Sequence, residues 1–129
     1  MEKGLSRRMA KYQVNLKSAI KYYLAITKPL HKLADKKIEL LTEILYLYTI
    51  NQTRFTVEDD IWRFVFNGDN RALIRSNLNM GKQVFENYLT ELRKKKIIIN
   101  NQISPAFNPS IKPGCTVYEM IFRFEIKND

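Results

Sequence analysis

The chain has one cysteine, one histidine, four glycines and no long apolar run. Its single cysteine, Cys115, cannot close an internal disulfide, which fits a reducing compartment. Cys115 opens an alternating run and has no base near it in sequence, so a buried or half-buried thiol is expected rather than a nucleophile. The single histidine, His31, follows Pro29-Leu30, where a solvated side chain is expected. There are four glycines, and none belongs to a phosphate-cradling loop. No apolar run approaches the roughly 18 residues of a membrane span. The opening MEKGLSRRMAKY lacks the hydrophobic centre of a signal peptide. The triplet Glu58-Asp59-Asp60 has no further ligands at metal-binding spacing, and reads as first-turn acids opposing a helix dipole. Glu39 and Glu43 lie at helical spacing and read as part of a polar face. No catalytic residue, metal ligand or cofactor is therefore assigned, and binding is expected rather than catalysis.

Acid is also scarce where base is plentiful. Residues 1–37 hold ten lysines and arginines against Glu2 and Asp35, a net +8. Residues 38–129 hold twelve basic and eleven acidic groups, a net +1, so nearly all of the chain's +9 sits at one end. Two units follow: residues 1–30 as a basic helical extension and residues 31–129 as a nearly neutral domain.

Periodicity supplies the elements. In residues 7–27, Tyr12, Leu16, Ala19, Tyr23 and Ile26 recur at helical spacing on one face. Residues 1–6 are expected to fray. Pro29 breaks this helix. A strongly buried helix is expected from Asp35, its N-cap, to Thr49, with Ile38, Leu41, Leu45 and Tyr48 in one stripe, widened by Ile44 and Leu47. Residues 54–56 suggest a brief strand. Thr56 and Asp59 suggest a capping box for a helix over 57–66 that buries Trp62. Residues 67–70 form a turn, with Asp69 or Asn70 capping the next helix. A short helix over 70–77 is anchored by Ala72, Leu73 and Leu78, with Arg71 and Arg75 on a shared exposed side. Asn79 can cap a longer helix over 80–95, which buries Val84, Phe85, Tyr88, Leu89 and Leu92. A strand over 97–100, a polar loop over 101–114 and a final strand over 115–126 complete the chain. In that last strand Tyr118, Met120, Phe122, Phe124 and Ile126 share a face.

The helix from Asp35, the helix carrying Ala72-Leu73, the turn at Leu78 and the run VFENYLTELRKKKII together resemble the winged helix-turn-helix superfamily over residues 33–126. The expected fold is α+β, mostly α: a winged helix-turn-helix with an added basic N-terminal helix and a two-stranded wing on a long loop. That family often has glycine before the wing strand, where this chain has Lys96, and the wing loop carries one cation, Lys112.

The resemblance implies a second helix lying in the major groove of duplex DNA. Gly81, Lys82, Gln83, Glu86, Asn87 and Thr90 would face base edges, with lysine suited to guanine and Gln or Asn to adenine. Arg71, Arg75, Arg93, Lys94 and Lys112, with Arg7, Arg8 and Lys11 of the arm, would contact phosphate. The expected function is a regulatory or architectural DNA-binding protein of a bacterial or phage-infected cytoplasm. The alternative is an assembly protein, such as a virion component, that uses the fold for protein contacts. A homo-oligomer through the Tyr12/Leu16/Tyr23 seam suits either, and no membrane partner is expected.

Overall fold

The structure, a computed structural model, describes Gly4 and residues 6–128. Among the described residues the chain forms six α-helices in the order Leu16–Ile26 (α1), Lys28–His31 (α2), Asp35–Asn51 (α3), Glu58–Val65 (α4), Gly68–Leu78 (α5) and Lys82–Lys94 (α6). A two-stranded antiparallel sheet, Ile98–Ile99 (β1) and Gln102–Ile103 (β2), follows α6. The α+β, mostly helical class expected from the sequence is the class observed.

The core is organised around α3. Eleven of its seventeen residues are buried, so it is covered nearly all round rather than along one stripe. The expected stripe of Ile38, Leu41, Leu45 and Tyr48, with Ile44 and Leu47, is buried as a set. Polar residues share this burial because their side chains bond back along the helix. Thr42 donates to the Ile38 carbonyl, Thr49 to Leu45 and Asn51 to Leu47, at 2.7–2.8 Å. Around α3 pack Ile20 and Leu24 of α1, Ile61, Trp62 and Val65 of α4, Ile74 of α5, and Phe85, Leu89 and Leu92 of α6. Trp62 stacks on Tyr48 with ring centroids 4.2 Å apart, and its indole donates to Glu58, which also accepts from the Tyr48 hydroxyl.

Several boundaries differ from the sequence reading, each for a local reason. The first helix starts at Leu16, not at residue 7, because Asn15 caps it and accepts from the Ser18 amide at 2.8 Å. Residues 6–15 are non-helical and exposed, with Tyr12 80% exposed, so Tyr12 lies outside the helical seam. Leu16 and Tyr23 of that seam pack on the chain's own core. The fraying expected over residues 1–6 lies mostly outside the described residues. The first helix ends at Ile26, just ahead of Pro29 as expected, and Pro29 then sits in the first turn of α2, where a missing amide costs nothing. Ala34, not Asp35, is the N-cap of α3; Asp35 acts as a first-turn acid instead. The Thr56–Asp59 box does not form, since Val57 occupies the cap. Residues 52–54 form a 3₁₀ turn where a strand was expected at 54–56. On α5, Ile74 is the buried anchor, whereas Ala72 and Leu73 face solvent.

Two of the helices end in the same way. The Asn79 amide donates to Ser76 and the Met80 amide to Arg75; the Lys96 amide donates to Arg93 and the Ile97 amide to Leu92. Both are Schellman closures with a left-handed residue, Asn79 (φ 52°) and Lys96 (φ 59°). Asn79 therefore closes α5, and Gly81 opens α6.

The largest departure lies after α6. The sheet is closed by a two-residue turn, Asn100-Asn101, with both φ positive (53° and 57°), in place of the long loop over 101–114. That is the type I′ geometry asparagine tolerates. Residues 104–118 instead fold back over the body. The Tyr23 hydroxyl reaches the Ala106 carbonyl, the Tyr118 hydroxyl donates to Pro109, and Ile111 is buried. Residues 115–128 form no strand, because no neighbouring strand is present to pair their backbone. Cys115 is exposed, contrary to expectation, since no core covers that stretch. His31 is buried rather than solvated: Nε2 lies 2.7 Å from the Leu24 carbonyl and Nδ1 accepts from the Leu33 amide, so Nε2 carries the proton.

Candidate functional site

Among the described residues, no three His, Cys, Asp or Glu side chains come together as metal ligands could. Two open clefts of about 530 Å³ each mark the surface. One lies between α4 and the hairpin, with Trp62, Arg63, Arg71 and Asn101 in its wall. The other lies between α1, α3 and α5 and holds Lys17, Lys21, Glu43 and Asn77. Neither places a base beside a nucleophile.

The second cleft contains an arrangement that the sequence reading missed. Glu43, expected on a polar face, is 6% exposed. Its carboxylate takes Lys17 Nζ at 2.7 Å and Asn77 Nδ2 at 3.0 Å. One buried acid thereby ties α1 and α5 to α3. Periodicity did contain a hint: Leu40 and Leu47, at three and four residues, are the apolar neighbours of Glu43 on its own face.

The candidate binding surface is the outward side of α6. Phe85, Leu89 and Leu92 turn inward, which leaves Gln83, Asn87, Thr90 and Lys94 as the opposite stripe, all exposed. Val84, expected in the buried face, is 44% exposed at the margin. Three residues, Asn79-Met80-Gly81, join α6 to α5. Gln83 donates to the Asn87 side chain at 3.0 Å, and the Thr90 hydroxyl donates to the Glu86 carbonyl. Both amides keep further donors and acceptors toward solvent. Lys82 is exposed at the first turn. Gly81 has φ −69°, and a side chain there would meet nothing within 4 Å, so its backbone is open to approach.

The structure divides the remaining candidates by what already holds them. Glu86 is half-buried and paired with Arg71 across the α5–α6 junction, 3.3 Å apart. Arg71 also donates through Nε to the Phe66 carbonyl at 2.8 Å. These two residues act as a strut rather than as an exposed cation and a base-edge acceptor, so the expected exposed side of Arg71 is corrected. Arg75 is half-buried as well, its guanidinium 5.7 Å from the centre of the Phe85 ring. Arg93 and Lys94 are exposed. Lys95 folds back onto the His31 and Lys32 carbonyls and closes the end of α2. Lys112 is exposed, but it lies in the returning segment and not in the hairpin, whose tip is the uncharged pair Asn100-Asn101. Arg7, Arg8 and Lys11 lie in the exposed, non-helical stretch before α1.

Charge on the body is therefore largely committed. Lys37 pairs with Glu91 and lies over the Tyr88 ring, which ties α3 to α6. Lys17 is held by Glu43. Among the described residues, the cations without such partners include Lys82, Arg93 and Lys94 at the two ends of α6 and Arg7, Arg8 and Lys11 of the N-terminal stretch, with Lys21, Lys32, Lys112, Arg123 and Lys127 elsewhere. No family model, curated protein or solved structure matches this chain.

Proposed function

We propose that this chain is a winged helix-turn-helix protein that binds duplex DNA, in a regulatory or architectural role without catalysis. In this reading α5 and α6 are the helix-turn-helix, α6 enters the major groove, and the Ile98–Ile103 hairpin is a short wing. One observation carries it: α6 turns an exposed stripe of Gln83, Asn87, Thr90 and Lys94 away from a core that fixes its other side. The amides Gln83 and Asn87, which can pair with base edges, fill the first half of the stripe, and Lys94, which can pair with phosphate, ends it. Arg7, Arg8 and Lys11 supply a further, sequence-independent attraction.

The test is a titration of the full chain against random and defined duplexes. Affinity should fall steeply, by about a factor of a thousand for six phosphate contacts, as salt rises from ~50 to ~200 mM. Replacing Arg7, Arg8 and Lys11 together by alanine should lower affinity for all sequences and flatten the salt dependence. Asn87→Ala should narrow the gap between preferred and random sequence by about 1–3 kcal/mol. Absence of duplex binding at low salt would falsify the proposal.

A second reading, an assembly protein, is favoured by a different observation. Val117, Ile121, Phe124 and Ile126 are each at least 72% exposed, which suits protein contact and not DNA. On this reading the chain serves an assembly such as a virion. Among the described residues no helix is long and apolar enough to cross a membrane.

A further inference from the structure

Residues 116–126, TVYEMIFRFEI, have the pattern of a strand and no strand beside them. The even positions Tyr118, Met120, Phe122, Phe124 and Ile126 are all apolar. The odd positions alternate differently: Val117, Glu119, Ile121, Arg123 and Glu125. Thr116, Val117, Tyr118, Ile121, Phe122, Phe124 and Ile126 are residue types that favour strands. The stretch is rooted on the body by the Tyr118 hydroxyl, 2.6 Å from the Pro109 carbonyl. Tyr118 and Met120 are half-buried and Phe122 is 49% exposed, whereas Phe124 and Ile126 are 85% and 86% exposed. The apolar row thus leans on the body at its root and leaves it beyond Phe122. A single extended stretch leaves its amides and carbonyls to water, and an unpaired row of this kind is a template for another chain.

We propose that the occupant is a second copy of this chain, and that residues 116–126 of the two copies pair antiparallel about a two-fold axis through Ile121. Charge complementarity together with backing by the body selects this partner and this register: an axis through Phe124 would also make two ion pairs, Arg123 with Glu125, but would carry the ribbon past Phe122 and off the body. Centred on Ile121, Glu119 of each copy stands directly opposite Arg123 of the other, giving two cross-strand ion pairs. The even row then matches itself, Tyr118 against Phe124 and Met120 against Phe122. A shift that centres the axis on Phe122 sets Glu119 against Glu125. A shift that centres it on Met120 sets both Glu119 and Arg123 against apolar residues. A half-step shift sets the apolar row against the mixed one, so that Glu119 and Arg123 both face apolar residues. The favoured register also lays Phe124 of the second copy over Tyr118, so the apolar side of the ribbon is backed by the body. An unbacked two-stranded ribbon is only marginally stable. The interface is isologous, as a two-fold pair requires.

This inference stands apart from DNA binding, and its test contains no nucleic acid. Sedimentation of the full chain at tens of micromolar should give a dimer. Ile121→Asp places two like charges opposite each other on the axis and should give a monomer with an unchanged circular dichroism spectrum in the helical region. Arg123→Glu should raise the dissociation constant at least about tenfold, and adding Glu119→Arg should restore it. In a Cys115→Ser background, Ile121→Cys should oxidise to a covalent dimer, and Glu119→Cys should not. A monomeric wild-type chain, a dimer indifferent to Ile121→Asp, or a charge swap without recovery would each overturn the proposal.

Discussion

α3 and α6 are the two long, well-formed helices of this fold, and they use their surfaces in opposite ways. α3 is covered on nearly every side, and even its Glu43 and its threonines are buried with partners inside the chain. α6 buries three side chains, half-buries Glu86, Tyr88 and Glu91 at the margins, and gives its opposite stripe to solvent. α3 holds the other helices in place, and α6 is held. The ties run between the two: Lys37 of α3 pairs with Glu91 and covers Tyr88 of α6. A helix buried all round has no surface left for a partner. A helix with one buried stripe and a rigid mount has a stable outward face, which suits positioned contacts. The difference therefore separates residues whose replacement should unfold the chain from residues whose replacement should change only what it binds.

The sharpest way to break that contrast is Leu45→Ala beside Thr90→Ala. Leu45 is fully buried in α3, and its truncation should cost about 2–5 kcal/mol in urea unfolding. Thr90 is exposed on α6, and its truncation should cost less than about 0.5 kcal/mol. Comparable losses at the two sites would remove the distinction. The next effect in size concerns the Glu43 bridge. Lys17→Met leaves a buried carboxylate with Asn77 alone, and should destabilise by about 1–3 kcal/mol. Glu43→Gln keeps a polar group for Asn77 and removes the buried charge, so it should cost less than Lys17→Met. The reverse order would show that the bridge is not what joins α1 and α5 to α3.

A smaller effect, of opposite sign, is expected at the end of α6. Lys96 is in the left-handed conformation, where a Cβ is strained, so Lys96→Gly should stabilise by up to about 1 kcal/mol. Asn79 occupies the same position at the end of α5, and asparagine tolerates it better, so Asn79→Gly should gain less. Equal gains would mean that the two closures are not strained differently.

These residues also show what could be read from the sequence. The stripes of α3 and α6 were legible because helical burial repeats every three to four residues, and Ile38, Leu41, Leu45, Phe85, Leu89 and Leu92 obey it. The hairpin was not, because Asn100-Asn101 between isoleucines and Gln102 is a two-residue signal easily absorbed into a polar loop. The strand expected over 115–126 was misread for a different reason. Alternation states which face a strand would bury, but pairing needs a neighbour that no local pattern supplies. His31 and Glu43 failed the same way: their polarity suggested solvent, and their partners Leu24, Leu33, Lys17 and Asn77 arrive from elsewhere in the chain. On the candidate face, the exposure of Gln83, Asn87, Thr90 and Lys94 followed from the stripe opposite them. The engagement of Arg71 with Glu86 and Phe66 did not, because it depends on how α5 crosses α6.

The smallest expected effect tests α3 through pH. Burial, and next the hydrogen bond to Glu58, hold the Tyr48 phenol above its ordinary value of 10.0. Burial raises Tyr23 and Tyr118 in the same direction. A raised folded value means that the fold favours the neutral phenol. Its contribution is complete below the unfolded value and disappears as pH rises through the folded one. Stability should therefore stay level with respect to these groups at neutral pH and fall in the alkaline range above 10.0. Tyr48→Phe should lower the neutral plateau, because Glu58 loses a donor, and should make the alkaline fall shallower, because one of the three phenols is gone. Tyr12, 80% exposed in the N-terminal stretch, provides the control. Tyr12→Phe should leave both plateau and slope unchanged in urea midpoints measured across that range. An equal flattening in both variants would show that the alkaline loss comes from general charge repulsion and not from a phenol held neutral against α4.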